Sequence, residues 1–431
     1  MNIYNWSELS DSQKQQALRR PAQESSNDIQ RICKEIIDNI REEDGDAALY
    51  RYSRELDRFD GADLRISEQK IKNALESIDK DLKAAIDTAY DNIYAFHKAQ
   101  QGSHIELETA PGIICKTKTH AIESVGLYVP GGSAPLVSTA LMLSIPAKIA
   151  GCRQIIMCSP PPVSDAIIYA AHKAGVDKIF AIGGAQAIAA MAYGSDSVPK
   201  VLKIFGPGNQ FVTMAKKLVS EDPEGAAIDM PAGPSEVLVI ADKNADCALV
   251  AADLLSQAEH GPDSQVIFVT DDKDMLDKVI KDTDEQLSAL PRKDIARKAL
   301  AKSSAILCKD LNEAVVISNT YAPEHLIIQT DNADELSDKC LNAGSIFVGA
   351  FTPESLGDYA SGTNHTLPTY GYAKTASALG TDDYRRRYTV SKATAAGILN
   401  IATTVERLAH EEGLFAHKNA MTLRYKKALE K

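Results

Sequence analysis

Short runs rich in Val, Ile, Leu and Phe alternate with longer helical patterns from about residue 112 onward, and this alternation constrains the fold more than any other feature. SVGLYV, RQIIMC, DKIFAI and KVLKIF form a first set, separated by patterns such as STALMLSIPAKIAG and SDAIIYAAHKAG. EVLVIA, QVIFVT, SAILC, HLIIQ and GSIFVG form a second, interleaved with segments such as CALVAADLLSQAEH. Alternation of this kind predicts parallel sheets covered by helices, and two sets predict two similar α/β halves. Residues from about 25 to 101 read as helices, with apolar positions of IQRICKEIIDNIREE and LKAAIDTAYDNIYAFHKAQ at helical spacing. Those helices need a sheet to pack on, which points to the first half being inserted into the second. After about residue 380 the texture is helical again, in TAAGILNIATTVERLAHEE, followed by a charged tail.

Composition narrows the function classes. The 431 residues carry 59 acidic and 47 basic groups, a formal net charge of -12 that disfavours nucleic acid and anionic membranes as partners. The one dense basic run, Arg385-Arg386-Arg387 between Tyr384 and Tyr388, reads as a solvated or subunit-contact face. Seven cysteines, an odd number with no C-x-x-C spacing, suit reduced thiols of a cytoplasm rather than a disulfide framework. MNIYNWSELSDSQ lacks the features of a signal peptide. The most apolar long segment, PLVSTALMLSIPAKIAG, is interrupted by Pro146 and Lys148 and is too short to span a bilayer.

Three glycine-rich turns, YVPGGSAP, AIGGAQAI and IFGPGNQF, each follow a strand-like run. A strand, a glycine turn and a helix start are how backbone N–H groups are aimed at a phosphate. None is a G-x-G-x-x-G, and tight turns alone would also need these glycines.

Four polar constellations stand out. SQAEHGPD closes a helical pattern for which Asn244 is a candidate N-cap; Gln257 and His260, three apart, share one face of its last turn. They read either as half of a metal site or as a solvated helix end, where a His complements the dipole. In PEHLIIQT, Glu324 and His325 are adjacent before an apolar strand and could divide proton transfers. Neighbours on a regular strand face opposite ways, so both reach one pocket only if the chain is irregular there, as Pro323 allows. PESLGDYASGTNHTLPTYG is a long loop after a strand, carrying Glu354, Asp358 and His365. Loops at the carboxyl ends of parallel strands are the usual ligand sites of α/β proteins. In HEEGLFAHKNA, His410 and His417 are seven apart with Gly413 between them, and nothing local chooses between them.

Together, VGLYVPGGSAPL, CSPPP, GGAQAIAA, KIFGPGN, AIDMPAGPSEVLVIAD, DLLSQAEHGPDSQV, PEHLIIQT, AGSIFVG, PESLGDYASGTNHTLPTYGY and AHKNA resemble the histidinol dehydrogenase family. The likeness runs from RPA at 20–22 to AHKNAMTLR, with the early helices and 383–410 matching only loosely. It implies a four-electron oxidation of L-histidinol to L-histidine through L-histidinal with two NAD+, the last step of histidine biosynthesis. By the resemblance, Gln257, His260, Asp358 and His417 would hold one Zn2+ per subunit and, with His325, also line the substrate site. Glu324 and His325 would be the proton-transfer pair. Ser235, His365 and Glu412 would hold substrate, and Tyr128, Gln186 and Asn209 would meet NAD. It also implies a homodimer with shared active sites, in which Glu412 and His417 complete the neighbour's site.

Texture and resemblance together predict two Rossmann-like parallel-sheet domains, one inserted in the other, with a small helical N-terminal arm and a helical C-terminal segment. The expected boundaries are 1–24 for the arm, 25–126 plus 236–379 for the main domain with the zinc and catalytic residues, 127–235 for the NAD-binding insert and 380–431 for the C-terminal segment. A zinc hydrolase would use similar acid–base groups but has no use for three phosphate-style turns. A non-catalytic binding protein would not need the Glu324–His325 pair. A dehydrogenase of the same family acting on another amino alcohol is disfavoured by Ser235, His365 and Glu412. A thiohemiacetal route through Cys115 or Cys152 lacks any neighbour that would lower the thiol pKa.

Overall fold

The structure, a computed structural model, describes residues 1–21, 26–42, 45–100, 102, 104–131, 135–230 and 233–430. Ala22 of the RPA block, Gly132, Ser133 and Ala134 of the first glycine turn, and Pro231 and Ala232 of the MPAGPSE stretch lie outside the described residues. The chain opens with β1 (Asn2–Asn5), α1 (Asp11–Ala17), α2 (Ser26–Glu42), α3 (Gly45–Asp57), α4 (Glu68–Ser77) and α5 (Lys80–Ala99). It continues through β2 (Glu106–Ala110), β3 (Ile113–Ala121), β4 (Ser124–Tyr128), α6 (Val137–Ala150), β5 (Gln154–Ser159), α7 (Asp165–Lys173) and β6 (Lys178–Ala181). Next come α8 (Gly184–Tyr193), β7 (Lys203–Phe205), α9 (Gln210–Glu221), β8 (Ala227–Ile228), β9 (Glu236–Ala241), α10 (Cys247–Ala258) and β10 (Gln265–Thr270). Then follow α11 (Lys273–Ala289), α12 (Lys293–Ala301), β11 (Ser304–Leu307), α13 (Leu311–Tyr321), β12 (His325–Gln329), α14 (Ala333–Ser337) and β13 (Ser345–Val348). The last elements are α15 (Glu354–Tyr359), β14 (Arg385–Ala393), α16 (Ala395–Glu411) and α17 (Phe415–Leu429).

Every strand-like run singled out in the sequence is a strand. The first set, with β8 added, builds a five-stranded sheet in the order β6-β5-β4-β7-β8; the second, with β1 added, builds a six-stranded sheet in the order β1-β11-β10-β9-β12-β13, and all pairings in both are parallel. β9, β10 and β12 are buried along their whole length, which is why they read as unbroken apolar runs rather than as alternating ones.

Four features depart from the sequence expectations. The N-terminal arm is only partly helical: β1 pairs with β11 as the edge of the six-stranded sheet, a role that four residues reading NIYN do not announce. The segment after residue 380 is not helical throughout. Its start is β14, which joins β3 and β2 in an antiparallel three-stranded sheet, so the arginine run lies on a mostly exposed strand. The helices α2 to α5 share one continuous core with residues 124–230, packing on α6, α7, α8 and α9, although the expected boundaries grouped 25–126 with the six-stranded sheet. Finally, α10 is capped by Asp246, which accepts from the Ala248 N–H at 2.9 Å, while Asn244 instead bonds Asp331.

Candidate active site

Three of the four polar constellations converge where the two parallel sheets face each other. His325 is the first residue of β12 and Glu236 the first of β9, so this cluster sits at the amino-terminal edge of the six-stranded sheet. That differs from the carboxyl-edge placement expected for the 353–371 loop. The reason lies in the other lobe. The glycine turns end β4, β6 and β7, and α6 runs from the first of them to meet the loop: His365 Nε2 lies 3.0 Å from Thr139 Oγ1, and the Asn364 amide donates to the Met142 carbonyl at 2.7 Å. The carboxyl edge of one sheet thus faces the amino edge of the other.

Within the cluster, α10 carries a buried Gln257 on its last turn, and His260 follows just past the helix at the exposed rim. Glu354 and Asp358 come from α15, where a spacing of four puts both on one face. One ligand atom each of His260, Glu354 and Asp358 lie within 4.8 Å of one another. The Gln257 amide lies 2.5 and 3.1 Å from the two Glu354 carboxylate oxygens, a contact that is attractive with its nitrogen turned toward them. Glu354 was visible in the sequence without a role; its i,i+4 relation to Asp358 was the signal that could have supplied one.

Glu324 and His325 are buried and do reach one pocket. The chain enters β12 from Ala322, whose left-handed backbone (φ 55°, ψ 71°) turns it sharply before Pro323. His325 Nδ1 lies 3.7 Å from Glu324 Oε2 and from Glu354 Oε1, and Nε2 lies 3.6 Å from Asp358 Oδ1. Nδ1 is also 3.1 Å from the Glu236 carbonyl oxygen, which can only accept, so Nδ1 carries the proton. The buried Nε2 faces the cluster, 3.6 Å from Asp358 Oδ1 and without a hydrogen bond. The Glu236 N–H donates to Glu324 Oε2 at 2.9 Å.

Electrostatics follow from this crowding. Burial pushes the Glu324 carboxyl up to about 8, with His325 and the Glu236 N–H pulling the other way. Burial likewise raises Glu354. For His325 burial opposes the charge, but the carboxylates of Glu354, Glu324 and Asp358 outweigh it and hold the imidazole well above its ordinary value. Asp358, though burial would raise it, is drawn below the usual carboxylate range by His325. Desolvation lowers both His260 and His365.

The residues expected to meet a nucleotide lie along the opposite wall. Tyr128 is buried at the end of β4, and its hydroxyl accepts from the Gly184 N–H at 3.1 Å. Gln186, buried on α8, donates to Asp57, whose same oxygen accepts from the Gly183 N–H at 2.8 Å. The first amides of α8 are therefore already held by a carboxylate and a phenol instead of standing free. Asn209 caps α9 by accepting from the Phe211 and Val212 N–H groups. Its turn abuts the first, since a side chain at Gly206 (φ 120°) would meet the Tyr128 carbonyl.

Ser235 precedes β9, and its carbonyl accepts from the Gln265 N–H at 3.2 Å. Glu412 and His417 are exposed on the α16–α17 hairpin, which packs on itself and on β14; this chain does not bring them to the cluster. All seven cysteines are free. Cys115 lies on β3 in the antiparallel sheet, and Cys152 is buried against the Tyr384 carbonyl with its thiol pushed up to about 11 by burial.

Fold and site define a two-lobed α/β enzyme, with a buried acid–base and metal-type cluster facing a glycine-turn wall. The family model for histidinol dehydrogenase matches residues 18–425. The chain is 54% identical over 422 residues to the histidinol dehydrogenase of Salmonella typhimurium (98% of this chain, 97% of that one). It is 53% identical over 427 residues to that of Vibrio cholerae (99% of each). The crystal structure of histidinol dehydrogenase from Elizabethkingia anophelis superposes with a TM-score of 0.95 at 45% identity, over 99% of this chain and 98% of that one. The chain belongs to the histidinol dehydrogenase family and is an oxidoreductase. Among the described residues, no helix is long and apolar enough to cross a membrane.

Proposed function

We propose that this protein oxidises L-histidinol to L-histidine through L-histidinal, using zinc and two NAD+, as the last step of histidine biosynthesis in the cytoplasm. The observation that carries this reading is the convergence of His260, Glu354 and Asp358 on the buried Glu324–His325 pair, in a chain similar to histidinol dehydrogenases over nearly its whole length.

The donor set fits zinc: an imidazole and two carboxylates around one point, with a buried amide beside them, is the mixed nitrogen–oxygen set that this metal accepts. Gln257, His260 and Asp358 would hold the ion, with His417 supplied by a second copy of the chain; Gln257 must turn its amide oxygen inward to do so. When bound, zinc supplies a template that fixes the amine and imidazole of the substrate. When bound, NAD+ supplies the hydride acceptor, and Tyr128, Gln186 and Asn209 are the residues assigned to it.

The chain's own residues carry the protons. In its neutral form His325 takes the alcohol proton at the buried Nε2, while the Glu236 carbonyl holds the ring by Nδ1. Glu324 accepts the proton of the water that adds to the aldehyde. Ser235, His365 and the neighbouring chain's Glu412 orient the substrate. The homodimer is part of this reading, because Glu412 and His417 stand away from the cluster of their own chain.

The test supplies zinc-loaded protein with limiting L-histidinol and excess NAD+ and counts NADH by absorbance. Two NADH per histidinol are expected. One would mean that the aldehyde is released, and none with zinc bound would sink the reading.

A further inference from the structure

We propose that Arg20, from the N-terminal arm, and Glu236 act as a positioning pair that sets the geometry of Glu324 and His325. The inference rests on the functional reading above and adds Arg20 and the Glu236 side chain, which that reading does not use.

The pair is closed on both sides. Arg20 Nε and Nη2 reach the Glu236 carboxylate at 2.5 and 2.9 Å, a bidentate contact that is largely buried, and the guanidinium stacks 4.0 Å over the Tyr321 ring. Glu236 touches the proton-transfer pair only through its backbone. Its N–H donates to Glu324 Oε2 and its carbonyl accepts from His325 Nδ1. Residue 236 is thus a single brace under both groups, and its side chain is the handle by which the brace is held.

Two strained turns are held by the same pair. Ala322 and Tyr370 are two of the three non-glycine residues with left-handed backbone among the described residues, at φ 55° and 56°. Left-handed backbone at such residues persists only where the surroundings fix it. Arg20 Nη2 donates to the Tyr321 and Ala322 carbonyls at 2.9 and 3.2 Å, fixing the turn that delivers Glu324 and His325. Glu236 Oε1 accepts from the Tyr370 N–H at 3.1 Å, fixing the end of the loop that carries His365. Pro21 closes the ring by accepting from the Tyr370 hydroxyl. One ion pair between the arm and β9 therefore fixes the entry to the proton-transfer pair, its backbone brace and the end of the substrate loop.

The test uses full-length, zinc-loaded protein with 15N-labelled histidine. In the wild type, His325 is expected to show a slowly exchanging imidazole proton on Nδ1, identified by its absence in His325→Gln. In Arg20→Met this signal is expected to be lost to exchange. At the same time kcat for histidinol falls roughly 10–100-fold, the scale typical of removing an outer partner of a site residue. KM for NAD+ and zinc content stay within twofold. Arg20→Lys, which keeps the charge but not the fork, recovers part of kcat. A merely structural role would lower zinc content and thermal stability while leaving kcat per bound zinc and the imidazole signal of the folded fraction unchanged, and that result overturns the proposal. If Arg20→Met does not fold, Glu236→Gln is read in the same way. A wild-type proton on Nε2 instead of Nδ1 overturns the proposal without any variant. The imidazole signal needs no substrate, so wild-type protein that shows it but does not oxidise histidinol sinks the functional reading alone.

Discussion

A carboxyl held at about 8 is an unusual base, and at Glu324 the cause is its burial, with the charges of Glu236 and Asp358 adding to it. Near neutral pH it is mostly protonated, and it gains base strength as the pH rises. If it activates the water of the second oxidation, that step accelerates through an apparent pKa near 8, and the rise is absent in Glu324→Gln. The same variant still turns histidinol into histidinal and yields about one NADH per substrate in a single turnover; equal loss of both steps would refute the assignment. At this scale the sequence was informative where chemistry and spacing coincide. Glu324–His325 and Gln257–His260 were legible as pairs, and Asp358 and His365 as polar residues of one loop. Glu354 was seen and left without a role. Arg20 and Glu236 were missed because their work is done through backbone groups and a long-range ion pair, and no residue pattern encodes either.

Elements position these residues through contacts that cross the lobes. His97 on α5 is fully buried, with Nδ1 2.8 Å from Gln100 Oε1 and Nε2 3.3 Å from the Asn364 amide nitrogen, one residue before His365. An amide nitrogen only donates, so Nε2 must be unprotonated and the ring neutral. Burial accordingly lowers the His97 pKa below its ordinary 6.5. The unfolded chain then binds the proton more readily than the folded one. The stability this group contributes is complete above about pH 6.5 and declines as the pH falls through the folded-state pKa. Urea unfolding at pH 7.5 and at pH 5 is expected to give a lower midpoint at pH 5, with a smaller difference in His97→Gln; an unchanged difference would remove His97 as a cause. The N-cap of α10 can be weighed too. Asp246→Ala frees the Ala248 N–H and is expected to cost about 1 kcal/mol, read as a lower unfolding midpoint. Strands and long helices were legible because parallel strands buried on both faces must be apolar throughout. β1 and β14 were not, because an edge strand takes its conformation from its neighbour: NIYN becomes a strand only beside β11, and the basic β14 only beside β3.

The whole molecule leaves its C-terminal hairpin underused. Leu408, Leu414, Phe415, Leu423 and Leu429 are all more than 40% exposed on or beside α16 and α17, close to Glu412 and His417. An apolar surface of this kind beside two polar residues assigned to the active site suits an isologous contact, in which each copy lends its hairpin to the other. If sites are shared in this way, each holds Glu324 from one chain and His417 from the other. Glu324→Gln and His417→Ala homodimers are then each impaired in both of their sites. Unfolding and refolding an equal mixture makes about half of the dimers mixed. In a mixed dimer one site collects both defects and the other collects neither. Activity is expected to return to about a quarter of the wild-type value, with the full two NADH per histidinol. Sites built from a single chain would leave every site in the mixture with one defect, and refolding would restore nothing.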